Sequence, residues 1–571
     1  MKRYILLALI VVMVFALSAQ YDEKQILMQQ AMQHTRQRQF DQAISVYQEI
    51  LDKFPEDRDA ADRLVRSYIS VSNFADARRV LDKYKDNFSD LDYMRHNINL
   101  LLRTGEKPAA IDEADSFLTK YSGHIQHYRQ IASIFEQNRH HDVAIDIYNR
   151  ARQVSSDDEL YSRELASAYE NSNMPDKAIE EYLKHLEKSR GFLHFITNRF
   201  RNILDEDESK IHTIREYCED SENEQLREVY ANSLAYIGEH EQALQIFATI
   251  DPTRVRVFGD QQLKDGNFEI ARRAFEIFRE QSQDPHIVAD AKIRIANAYI
   301  EAGNLEEAEA VLMEVYNNNQ IQSRQYRFRT RANREAREML ADTVLRRNEP
   351  VEKAIDYLNE ASTFAYNASE RKEIQYRVLH LKLATGEYEA GDDMLTDLLE
   401  DEDPSSNAYK SGTFYQFLLG LLRGDAKTDS LLGEVMISIP ENELTNEALQ
   451  LYVISSELSG NARDKFLQGY RDKLLYRDSL AVQSLIDAFE LSGNESVLLL
   501  AADWALDAGD YQKAGYLYEH DYTDETSKQY ALLRKAIIES DEQRRDIASS
   551  FLKDNPSTVF SPQFRKMVTG R

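Results

Sequence analysis

The chain has 571 residues with 19 Gly and 10 Pro, so breakers are scarce and long runs of helix are favoured. That length exceeds one ordinary hydrophobic core but suits a solenoid, in which each unit touches its neighbours. A net charge of −28 and a pI near 5.0 exclude a general nucleic-acid binder, which needs a basic face.

The N-terminal segment reads as a secretory signal over 1–19. Lys2 and Arg3 precede an uncharged apolar run from Tyr4 to Ala16, followed by Leu17-Ser18-Ala19 and polar Gln20. The run is shorter than the roughly 20 residues a membrane-spanning helix needs. Processing is expected after Ala19, with an uncleaved anchor as the alternative. A lipoprotein signal requires Cys where Gln20 stands, so lipid attachment is not expected. The single Cys218 forms no intramolecular disulfide and reads as a packed small hydrophobe. Export without disulfides fits a bacterial periplasm, with outer-membrane association as the variant; contact with a membrane is expected to be indirect.

Downstream, Ala43, Ala77, Ala110, Ala144 and Ala178 recur at spacings of 34, 33, 34 and 34. Around them, Tyr128, Ile131, Ala132 and Phe135 lie on one helical stripe, and Ala144, Tyr148 and Ala151 on a second after a polar turn. Small side chains belong where two helices cross closely, and the aromatics fill the gap to the next hairpin. The beat returns at Ala243 with Phe247, Ala271 with Phe275, Ala308 with Leu312, Ala354 with Leu358 and, near Glu387-Tyr388, at Ala390. A late unit shows Ala501, Ala502, Ala505, Ala514 and Tyr518.

These residues resemble the tetratricopeptide repeat. The resemblance implies an all-α, right-handed superhelical solenoid of stacked antiparallel helix hairpins. It places a regular array over 20–188 and a degenerate array over 189–400. A C-terminal helical repeat region follows over 401–571, with its late unit near 495–520. The acidic, Ser-containing stretch 401–412 reads as a linker.

No phosphate loop, dinucleotide fingerprint, zinc motif or nucleophile elbow occurs, so no catalytic, cofactor or metal residue is assigned. His140-His141 lacks a third ligand nearby. Arg95, Arg129 and Arg163 repeat at 34 residues, with Asn99, Ser133 and Ser167 one turn on. By resemblance they face a concave groove that holds partner proteins, and guanidinium forks suit acidic or carboxylate-bearing segments. The structural alternative pairs these arginines with Glu136 and Glu170. A competing basic patch is Arg324, Arg327, Arg329, Arg331, Arg334 and Arg337, whose alternative is an amphipathic helix pairing with neighbouring acids. The expectation is a non-enzymatic scaffold or adaptor of the bacterial envelope, serving assembly or secretion. The rivals are a polysaccharide-binding module with exposed groove aromatics and the helical part of a peptidoglycan-acting enzyme. The latter needs a catalytic site in 405–571, where the Gly-Leu-Met-Gln motif of lytic transglycosylases is missing.

Overall fold

A computed structural model of the chain describes residues 23–322, 327–400, 402–440 and 442–569, with side chains of 327–330 left aside. The expected signal over 1–19 lies outside the described residues. Among the described residues there is no strand; the chain is a succession of helical hairpins. None of these helices is long and apolar enough to cross a membrane. The chain divides into two compact units, one ending at Ile250 and the other beginning at Asp251.

Each regular hairpin is written in the same local grammar. The first helix ends in a residue with left-handed backbone, at Arg38, Ser72, Gly105, Arg139 and Asn173 (φ 58, 59, 86, 62 and 57°). The next amide closes back on the first helix, as in Gln39 to the His34 carbonyl (2.9 Å) and His140 to the Phe135 carbonyl (2.8 Å). Such a turn satisfies carbonyls that the helix end would otherwise orphan. Five residues after each left-handed position comes the repeating alanine. All five alanines are fully buried, at 0% exposure, so a larger side chain there would drive the backbones apart.

The same grammar identifies later units. In the second unit Gly266, Gly303, Tyr476 and Gly509 take the left-handed turn ahead of Ala271, Ala308, Ala481 and Ala514. Gly386 likewise precedes Gly391, which corrects the reading of Ala390: Ala390 is exposed, whereas a Cβ on Gly391 would meet Leu383 Cδ2 at 2.8 Å. Ala481 marks a further unit, pairing helices Gly460–Leu474 and Asp478–Ser492. The stretch 189–225 carries two helices, Leu193–Glu206 and Ile211–Cys218, and helix Asn407–Arg423 begins inside the expected linker, its N-terminus capped by Ser406.

Hydroxyls and ions tie helices within and between hairpins. Tyr148 donates to Glu136 (3.0 Å) and Tyr182 to Glu170 (2.8 Å), each from the second helix to the first of its own hairpin. Between hairpins, Lys107 reaches Asp142 and Lys210 reaches Asp176, both at 2.8 Å. Cys218 is buried, and burial pushes its thiol up to about 12, which fits a packing role.

Candidate partner-binding face

The first helices of three consecutive hairpins in the first unit are Asp90–Arg103, Ile125–Gln137 and Ser162–Asn171. Arg95, Arg129 and Arg163 occupy the same register on them, and their side chains are 41%, 49% and 50% exposed. The nearest carboxylates are distant for hydrogen bonds: Asp92 at 3.9 Å from Arg95, and Glu164 at 3.9 Å from Arg129 and 3.5 Å from Arg163. Asp92 is already engaged by Arg58 and Ser89. Two carboxylates therefore serve four arginines, in a chain that is otherwise strongly acidic. The guanidinium of Arg129 also lies over the Tyr161 ring, 6.0 Å from its centre.

Glu136 and Glu170 do not neutralise this ladder. They accept from Tyr148 and Tyr182, and Glu170 is further paired with Arg199 at 2.7 Å. Burial pushes the Glu136 carboxyl up; its Tyr148 bond works the other way, and Glu164 adds repulsion. One turn beyond the arginines, Asn99 accepts from Asn138 (3.0 Å) and Ser133 from Gln137 (3.2 Å), while Asn171 donates to the Ser167 carbonyl (2.8 Å). These three are half-buried and partly committed, Asn99 to the next hairpin and Ser133 and Ser167 within their own helices, so the arginines carry the free valence of this face.

Sequence reasoning missed cross-hairpin partners at the same beat. Asp62 bonds His96 at 2.7 Å across 34 residues, and Arg58 meets Asp92 across the same interval. A search for opposite charges at the repeat spacing would have found both.

Of the competing basic patch, the three arginines with described side chains, Arg331, Arg334 and Arg337, each pair with carboxylates of the same unit. Arg324 and the side chains of Arg327 and Arg329 lie outside what the structure describes. Arg331 pairs with Glu335 at 2.7 Å, and Arg334 sits among Glu335, Glu338 and Glu370 at 3.9, 3.5 and 3.7 Å. Arg337 must be withdrawn from an exposed face: it is 5% exposed, bonded to Glu360 (3.1 Å) and flanked by the Tyr316 and Phe364 rings at 4.4 and 4.5 Å. Among the described residues no group of three His, Cys, Asp or Glu is placed to hold a metal.

Models of the family described as "Tetratricopeptide repeat" match residues 34–93 and 257–320, one stretch in each unit. Both units thus carry tetratricopeptide repeats. No curated protein matches its sequence. Among solved structures, the tetratricopeptide chain is similar to the MamA protein at 21% identity, covering 30% of this chain and 93% of that one, with a TM-score of 0.22. It is also similar to the Cut9–Hcn1 hetero-tetramer of the APC/C at 14% identity, covering 96% of both chains, with a TM-score of 0.24.

Proposed function

We propose that this chain is a non-enzymatic scaffold of the bacterial envelope that binds carboxylate-bearing segments of partner proteins along the first helices of its first unit. The observation that carries this reading is the surplus of exposed, loosely paired guanidinium groups at Arg95, Arg129 and Arg163. Tetratricopeptide repeats support a protein partner. The aromatic ladder offers no platform for sugar rings, because Tyr47, Tyr148 and Tyr182 are fully buried between helices.

Changing the three arginines together to Gln should weaken binding to glutamate-rich peptides while leaving helicity intact. Exposed charge pairs contribute about 0.2–1 kcal/mol each, so the triple variant should lose between a fewfold and roughly a hundredfold. Wild-type binding should also fall as salt rises, since the Debye length is about 10 Å at 0.1 M. A triple variant that binds normally but melts earlier would make the arginines structural.

The envelope location rests on the charged, apolar and small-residue parts of 1–19. N-terminal sequencing of the exported protein should begin at Gln20. A product retaining Met1 would point to an anchor.

A further inference from the structure

The second unit breaks the rule that hairpins touch their neighbours. Helices Ala368–Thr385 and Asn407–Arg423 are first helices of successive hairpins and pack on one another. The helix that packs next on Asn407–Arg423 is Glu443–Glu457, which stands outside the two-helix grammar. Gly460–Leu474, the first helix of the following hairpin, then reaches back past that pair and packs on Ala368–Thr385. Arg471 donates to the Tyr388 hydroxyl at 3.0 Å, across 83 residues. One hydrophobic cluster accordingly runs from Ala341 to Ala531, whereas the first-unit clusters Ala31–Leu100 and Ile98–Leu165 each cover two hairpins and reach only the first helix of the next.

His380, half-buried, stands beside this return contact. Its Nδ1 is 3.3 Å from the Tyr415 hydroxyl, and the backbone of Leu474, at the end of the returning helix, is near enough to act on its charge. A neutral imidazole meets both partners, accepting on one nitrogen and donating from the other. A second proton removes the ring's acceptor, so that the Tyr415 hydroxyl must turn to accept instead, and places a cation beside Arg377. We propose that helix Gly460–Leu474 is a latch closing the first-helix face of the second unit, and that charging His380 releases it.

The groups around the latch are these. Asn407–Arg423 brings Tyr415; Glu443–Glu457 brings Glu447, which accepts from Tyr470 of the latch at 2.6 Å. The latch brings Tyr470 and Arg471, and the turn after it brings Tyr476, whose ring lies 5.9 Å from the Arg346 guanidinium. Helix Arg327–Arg346 brings Glu338, Asp342 and Arg346, and Ala368–Thr385 brings Tyr376 and Arg377, the latter paired with Glu338 at 3.1 Å and Asp342 at 2.5 Å.

The signs oppose one another. Desolvation pushes His380 down to about 4 from an ordinary 6.5; the Leu474 backbone favours the charged ring and works against this, while the nearby Arg377 charge acts with burial, so falling pH favours release between those values. Burial pushes Glu338, Asp342 and Glu447 up, so their protonation favours closure. Release by acid requires the imidazole to prevail.

Amide exchange on the full chain tests this, with protection corrected for intrinsic exchange chemistry. Between pH 7 and pH 5, the opening of 368–385 and 460–474 should rise in the wild type. The rise should exceed that of His380→Gln by up to roughly twentyfold, the factor given by an imidazole moving between about 4 and 6.5. Equal responses in the two proteins overturn the assignment to His380. Should His380→Gln not fold, the wild type decides alone. Protection that stays flat or grows on acidification, the sign set by the three carboxylates, overturns the latch.

Discussion

Replacing Glu181 with alanine is expected to destabilise the first unit by about 3–5 kcal/mol, the cost of stranding a buried charge. Glu181 and Arg152 form a two-pronged pair, Nη1 to Oε1 at 2.8 Å and Nη2 to Oε2 at 2.5 Å, with side chains 7% and 11% exposed. The pair joins the second helices of adjacent hairpins, His141–Ser155 and Pro175–Lys188. Arg152 is held further by the Leu160 carbonyl (2.9 Å) and Ser162 (3.0 Å), so it cannot swing out to water without breaking those bonds as well. The double change Arg152→Met, Glu181→Leu should recover most of the loss, because a well-packed apolar pair replaces the ions at little net cost. Burial raises the Glu181 pKa, and the bonds from Arg152 and Lys184 more than offset it, leaving the carboxyl below its ordinary 4.5. A depressed carboxyl stabilises above its unfolded value and ceases to do so as pH falls through its folded value. The gap between wild type and Glu181→Ala should therefore close below about pH 4.5. Amide protection over 141–188 is the proper readout, since a chain of two units has no single unfolding free energy. A cost under about 1 kcal/mol would show that Arg152 finds water or another acid once Glu181 is gone.

How far the sequence carried this account depended on how directly sterics dictate residue type. A close helix crossing admits almost nothing larger than alanine, and so the five-alanine beat was legible. Tyr148 and Tyr182, four residues after their alanines, follow from the same constraint. The slip between Ala390 and Gly391 arose because glycine also marks turns. The left-handed Gly386, five residues earlier, resolves it. Along their own helices Glu136 and Glu170 stand seven residues after Arg129 and Arg163, which points them toward the arginines. The structure turns them toward the second helix, where the tyrosines arrive twelve residues later. That choice depends on helix rotation, which a spacing of seven does not distinguish. The latch was not legible at all. Helix Glu443–Glu457 carries no repeat signature, and inserting one helix changes which faces meet without altering any local pattern.

In the second unit, Phe275→Ala should cost about 3–5 kcal/mol, the range for emptying a buried aromatic site. Phe275 is 0% exposed and packs in a cluster with Ala271 and Ile295, and the Arg294 guanidinium lies 5.8 Å from its ring centre. The informative variant is its neighbour Gly259, in the helix Pro252–Lys264. A Cβ built there would lie 2.7 Å from Phe275 Cε1 and 3.1 Å from the Ala274 Cβ, closer than atoms can settle. Gly259→Ala alone trades roughly 1 kcal/mol of helix propensity against about 1–3 kcal/mol of overpacking, so it should be neutral to destabilising. With Phe275 already truncated, the ring is gone, and the same change should become stabilising. Only the Ala274 contact remains, and the new methyl reaches into the vacated space. The double-mutant cycle should thus show a coupling of about 1–3 kcal/mol, well beyond the additivity of independent sites. Damage from Phe275→Ala should stay within the hairpins of 252–316, because its cluster partners all lie there. Additive energies would mean that the two helices already stand further apart than the Gly259–Phe275 contact implies. Loss of protection reaching the latch at 460–474 would mean that the second unit opens as one body.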